Sequence, residues 1–155
     1  MRTKRRSGTL LALGCAAALA ACSGPPVRSV VLASDQAELV AEQCSRPNPP
    51  HYESTWQPGP EITKQLELDL PALKAVAPAH TEAPVADVNA YDRQYFGIVV
   101  HDKRLIYINA FQPAMANKDW KYYAIVVCDT TTGAWGALYD PASRGFSDFA
   151  FNLSP

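Results

Sequence analysis

The 155-residue chain has no apolar run long enough to cross a bilayer as a helix. Its longest, Thr9 to Ala21, holds 13 residues, whereas a spanning helix takes roughly 20. No G-x-S-x-G elbow, P-loop or dinucleotide-binding glycine pattern occurs, so the local signatures of serine hydrolases, P-loop nucleotide enzymes and Rossmann proteins are missing. Histidine is scarce. His51, His80 and His101 stand 29 and 21 residues apart, so no H-x-H, H-x-x-x-H or H-E-x-x-H spacing offers a local zinc site. No metal ligand and no cofactor are assigned. The formal charge of −1 lacks the basic excess that nucleic-acid binding needs. Acids are absent before Asp35, and the four cysteines, Cys15, Cys22, Cys44 and Cys128, fall in very different surroundings.

What is present begins at the N-terminus. Arg2, Lys4, Arg5 and Arg6 form a basic cluster, the short apolar run follows, and small residues close it. That order describes an export signal. It ends on Leu19-Ala20-Ala21-Cys22, which resembles the lipobox of bacterial lipoproteins. The resemblance covers only the first two dozen residues. It implies cleavage after Ala21, a diacylglycerol thioether on Cys22 and frequent acylation of the new amine. Two signals of this kind hold a protein stably where a single chain is marginal. Ser23 follows instead of the aspartate that in this family favours inner-membrane retention, so the implied address is the periplasmic face of the outer membrane. The competing reading takes Ala18-Leu19-Ala20 as an ordinary A-x-A cleavage site and yields a soluble periplasmic protein.

Processing changes both charge and cysteine chemistry. Loss of residues 1–21 from 155 leaves 134 residues, enough for one domain with its own core. Four of the 14 basic residues go with the signal and all 15 acids remain, so the mature charge is −5. Cys15 is removed and Cys22 is lipidated, leaving Cys44 and Cys128 to pair in an oxidising compartment. A nucleophilic role for Cys128 would need a thiol kept free beside a base, and no sequence neighbour supplies one.

Residues 22–33 read as a lipidated tether, with Gly24, Pro25 and Pro26 opposing regular structure. Residues 34–155 read as a single domain. Ser34 or Asp35 caps a short helix running to Cys44, with Asp35 and Glu38 as an acidic capping box. A proline-rich irregular segment follows, Arg46 to Pro60, carrying His51, Tyr52 and Trp56. Ile62, Leu66, Leu70 and Leu73 mark one face of a helix over 60–76, interrupted by Pro71. A surface loop covers 75–89. Beyond it, five β-rich segments are expected: 94–101, 104–111, 122–129, 134–139 and 146–152. The fold class is therefore α+β: an antiparallel β-meander of about five strands, covered by one or two helices and stapled by one disulfide.

Asp129, Asp140 and Asp148 fall at or near the last three of these strands. Two carboxylates at about 5–9 Å serve glycoside hydrolysis, although aspartate beside a turn ordinarily caps backbone. All 15 aromatic residues follow position 50. Trp120, in the charged loop Asn117-Lys118-Asp119-Trp120-Lys121, is the tryptophan expected at the surface, and Trp56 joins it as a candidate contact residue. The expectation is a non-catalytic binding or envelope-accessory module, held to the membrane by the lipid on Cys22. Its partner would be an envelope protein or a cell-wall polymer. The alternative is an envelope hydrolase acting on cell-wall glycan through acids on the sheet.

Overall fold

The two longest strands lie between Asp92 and Phe111, are buried along most of their length on both faces, and build the centre of the molecule. The computed structural model describes residues 28–47, 49–76 and 87–153. Cys22 with its lipobox, and His80, lie outside the described residues. The sheet has six strands: β1 (Ser29–Val31), β2 (Ser54–Trp56), β3 (Asp92–Val100), β4 (Lys103–Phe111), β5 (Ala134–Asp140) and β6 (Gly145–Phe151). Strands β3 to β6 form an antiparallel meander. The far side of β3 is shared, with β1 parallel along its first half and β2 antiparallel along its second. The α+β class and the stapled meander hold. The sheet is mixed, through β1.

Two helices cover it. Helix α2 (Pro60–Asp69) starts with proline at its first turn, where no amide hydrogen is needed, and tightens into a 3-10 turn over Leu70–Ala75. Pro71 is accommodated at the start of that turn, so the apolar face continues unbroken. Leu66, Leu70 and Leu73 are fully buried against Tyr95, Ile106, Ile108, Trp135, Ala137 and Tyr139. Each leucine contributes about 1.5–3 kcal/mol by burial. Arg93 and Tyr95 both bind the Glu67 carboxylate, at 3.0 and 2.7 Å, and so fix the helix to β3. Helix α1 (Ala37–Ala41) lies on the opposite face, where Ala37 and Val40 meet Leu32, Phe96, Ile98, Tyr107 and Leu138. It is shorter than expected and is preceded by a 3-10 turn over Ser34–Gln36. Neither Ser34 nor Asp35 caps it: Ala33 and Gln36 hold the cap positions, without side-chain hydrogen bonds.

Three segments depart from the sequence reading. Ser29–Val31, expected in the tether, is strand β1. Ser54–Trp56, expected to be irregular, is strand β2. Residues 122–129, expected as a strand, are outside the sheet. This third segment is extended but lies across the face that carries α1, and its backbone is paired with side chains. Gln94 accepts from Ile125 N–H and donates to the carbonyls of Trp120 and Tyr123. Asn109 and Gln43 donate to Ile125 O, Gln43 accepts from Val127 N–H, and Asn152 donates to Val127 O. Alternation and β-branching resemble a strand because Ile125 and Val127 are buried. Their hydrogen-bond partners, however, come from amide side chains spread over distant elements, and local sequence carries no sign of that. The segment ends at Cys128, bonded to Cys44 with Cα atoms 5.3 Å apart.

Candidate functional site

The β3–β4 hairpin and the β5–β6 turn come together at one end of the sheet and enclose a cleft of about 550 Å³. Trp56, Ile62, Pro141 and Ala142 give it apolar walls, and Asp102, Lys103, Arg104 and Asp140 rim it. Trp56 is positioned by β2. Its indole N–H is shared between the carbonyls of Ile98 and Leu105, 3.1 Å from each. Gly97 makes this possible, since a Cβ there would stand 2.7 Å from the indole ring atoms. The Arg104 guanidinium covers the ring at 5.5 Å from its centre, a cation–π contact.

The hairpin turn is formed by His101 and Asp102, both left-handed, at φ 49° and 62°. That is the two-residue geometry matching strand twist. It lies one residue earlier than the Asp102-Lys103 gap between the expected strands 94–101 and 104–111, so Lys103 begins β4 and Lys103 and Arg104 both reach the rim. The opposite wall is fixed through Asp69. That carboxylate takes two hydrogen bonds from Arg144, at 2.5 and 3.0 Å, and one each from Tyr139 and Gln65. The Arg144 bonds lead in holding the Asp69 carboxyl down at about 2, against the opposing effect of burial. Asp140 is committed differently. Burial works to raise its carboxyl, but the Ala142 and Ser143 amides and the Ser143 hydroxyl together bring it below its ordinary value. Asp140 is thus a fixed anionic acceptor. A general acid needs the opposite shift.

The three aspartates singled out from the sequence go to separate places. Asp140 lines this cleft. Asp129, at φ 49°, bonds the Ser45 hydroxyl at 2.6 Å. Asp148 occupies an irregular step in β6 at φ 50° and lines a different groove with Pro47, Tyr107 and Phe149. His51 and His101 are exposed. Among the described residues no group of three histidine, cysteine or acidic side chains is placed to hold a metal ion. Trp56 is half-buried in the cleft. Trp120 is half-buried as well, edge-on to Phe111 at 6.0 Å. The exposure expected at Trp120 falls on its neighbours, Tyr122 at 72% and Tyr123 at 60%.

Sequence reading passed over Lys103, Arg104 and Gly97. The basic pair directly after a hairpin turn was the available signal for the first two. Nothing local marks Gly97, because its role depends on an indole arriving from 41 positions earlier. No protein-family model, curated protein or solved structure matches this chain.

Proposed function

We propose that this protein is a lipid-anchored envelope lipoprotein that works as a non-catalytic binding module, and that the Trp56 cleft is its contact site. The observation that carries the binding reading is the pairing of an indole with an arginine on its face, inside a cleft bordered by charges of both signs. Tryptophan and arginine are the residues most enriched where binding energy concentrates. A partner suited to the rim presents an apolar group to Trp56 and Ile62, an anion to Lys103 and Arg104, and donors to Asp140. A segment of an extracytoplasmic protein meets those requirements, as does a charged cell-wall polymer.

The anchor reading is supported by the basic cluster, the short apolar run and the Leu19-Ala20-Ala21-Cys22 motif. No helix among the described residues is long and apolar enough to cross a membrane. Attachment in this proposal depends on Cys22. The address proposed is the periplasmic face of the outer membrane.

Arg104→Glu tests the cleft without touching the core, because Arg104 is exposed. A photo-crosslinker at Lys103 in intact envelopes is expected to capture one dominant partner, and the yield to fall at least about tenfold with Arg104→Glu, equivalent to about 1.4 kcal/mol. Turnover of purified cell-wall glycan by the same protein, with no captured partner, overturns the binding reading in favour of hydrolysis.

A further inference from the structure

Among the described residues seven large apolar side chains are exposed, and four of them, Leu39, Tyr122, Tyr123 and Val126, belong to α1 and the segment lying beside it. They are neighbours in space. Gln36 accepts from Ala124 N–H, and Gln43 pairs with Ile125 O and Val127 N–H. Leu39 lies in α1 between those two glutamines in sequence, on the element that runs alongside residues 124–127. The tyrosines project from a compact turn in which both of their amides donate to Asp119 O. Lys118 and Lys121 are exposed in the same turn. Clustered apolar exposure of this kind marks a contact surface.

The position of the patch identifies what it meets. Gln94, which holds the Trp120 and Tyr123 carbonyls, is paired with Val30 of β1. Two residues before Val30 is Arg28, fixed by Arg93 N–H to its carbonyl and by an ion pair to Asp92 at 3.6 Å. The tyrosine pair therefore stands beside the point where the tether joins the domain. Only six residue steps separate Cys22 from Arg28, and at about 3.3–3.6 Å per residue they reach at most roughly 20 Å. A domain held that closely must turn some face to the lipid. The face carries two tyrosines, two aliphatic side chains and two lysines, residues that settle at a membrane–water interface, and the exposed acids Asp35, Glu38 and Glu42 stand at its α1 border.

We propose that the surface formed by Leu39, Tyr122, Tyr123 and Val126 rests in the headgroup region of the membrane to which Cys22 attaches the chain. This rests on the lipid-anchor reading above. Its consequence is orientation. Strand β3 runs from Arg93, beside the tether, to Val100, beside the cleft, and seven strand steps span about 23 Å. The Trp56 cleft then faces away from the bilayer, toward partners.

The test uses the mature chain beginning at Cys22, with its disulfide intact. The Cys22 thiol is coupled to a maleimide-bearing phospholipid in vesicles of phosphatidylethanolamine and phosphatidylglycerol, or capped with a soluble maleimide. Tyrosines are nitrated with tetranitromethane and assigned by peptide mass spectrometry. Nitration of Tyr122 and Tyr123 is expected to fall about tenfold on vesicles, since a short tether holds even a weak contact at millimolar effective concentration. The protein capped with soluble maleimide and mixed with the same vesicles is expected to show no such fall. The double variant Leu39→Glu, Val126→Glu alters two exposed positions and is expected to restore nitration. Equal nitration of the tyrosine pair on vesicles and in solution overturns the proposal. Protection in intact envelopes but not on protein-free vesicles also overturns it, and assigns the patch to a protein partner. The intact mass of the native protein separately reports acylation of Cys22. An unmodified thiol there sinks the anchor reading, while the coupled vesicles still decide whether the patch meets lipid.

Discussion

Arg46 shows how much one buried side chain organises. It is 7% exposed, has no carboxylate hydrogen-bond partner among the described residues, and donates to Tyr107, Asn152 and Asn109 at 2.8–2.9 Å. Burial lowers its pKa, with Tyr107 opposing, but a guanidinium remains charged. Its planar fork reaches three acceptors at once, and Gly136 leaves the room, since a Cβ there would lie 2.8 Å from Arg46 Nε. A lysine is a point charge without that fork. Arg46→Lys is therefore expected to lower unfolding free energy by about 2–3 kcal/mol in urea titration, and a loss below about 1 kcal/mol would falsify the three-bond account. Asp69 gives a pH signature. Its folded pKa, about 2, lies below the ordinary value near 4, so the unfolded chain binds the proton more tightly. The stabilisation is complete above pH 4 and disappears as pH falls through about 2. The urea midpoint difference between wild type and Asp69→Asn should shrink over that interval. Tyr139 has the opposite sign. Burial, followed by its bond to Asp69, raises it to about 12, so its contribution is intact below about pH 10 and is lost toward 12. Tyr139→Phe should flatten that alkaline decline.

Among the elements, the hairpin turn was nearly legible and the extended segment was not. The two β-rich runs on either side of residue 101 announced a hairpin, but its exact loop depends on cross-strand register, which pairs Val100 with Lys103. His101 and Asp102 both occupy left-handed backbone, a conformation that asparagine and glycine adopt more cheaply. Replacing the pair with Asn-Gly is expected to raise stability by about 0.5–1.5 kcal/mol, and no increase in thermal midpoint would count against the assigned turn. Residues 122–129 failed as a strand for a different reason. Period-two burial says only that alternate side chains face a core. It does not say whether backbone groups meet another backbone or the amides of Gln43, Gln94, Asn109 and Asn152. Edge strand β6 shows the usual protection against unwanted pairing, an irregular step at Asp148 that interrupts the register with β5.

At the scale of the whole molecule, the Cys44–Cys128 bond joins α1's exit to the end of the segment that lies across the sheet. It closes a separation of 84 residues, which in the chain-entropy account corresponds to about 4–5 kcal/mol. The double Cys44→Ser, Cys128→Ser variant should lose stability of that order in denaturant. Because Ser45 and Gln43 hold the same segment, amide exchange should rise first at Ile125 and Val127. Uniform exchange across the sheet would argue that the bond acts on the unfolded chain alone. The molecule is also directional: Arg28 and the tyrosine patch adjoin the start of β3, and the cleft adjoins its end.

The sequence by itself determined the α+β class, the helix over 60–76, the meander and the pairing of Cys44 with Cys128. The class, helix and meander follow from periodicity and turn residues, which act over short stretches. Tertiary structure alone decided that 122–129 leaves the sheet, that β1 and β2 share one side of β3, and that Trp120 turns inward while Tyr122 and Tyr123 turn outward. It also decided which aspartate shares a cleft with Trp56. Each of these depends on hydrogen bonds and packing between residues tens of positions apart. Such long-range pairings are fixed by the closing of one shared core, so no single stretch of sequence records them.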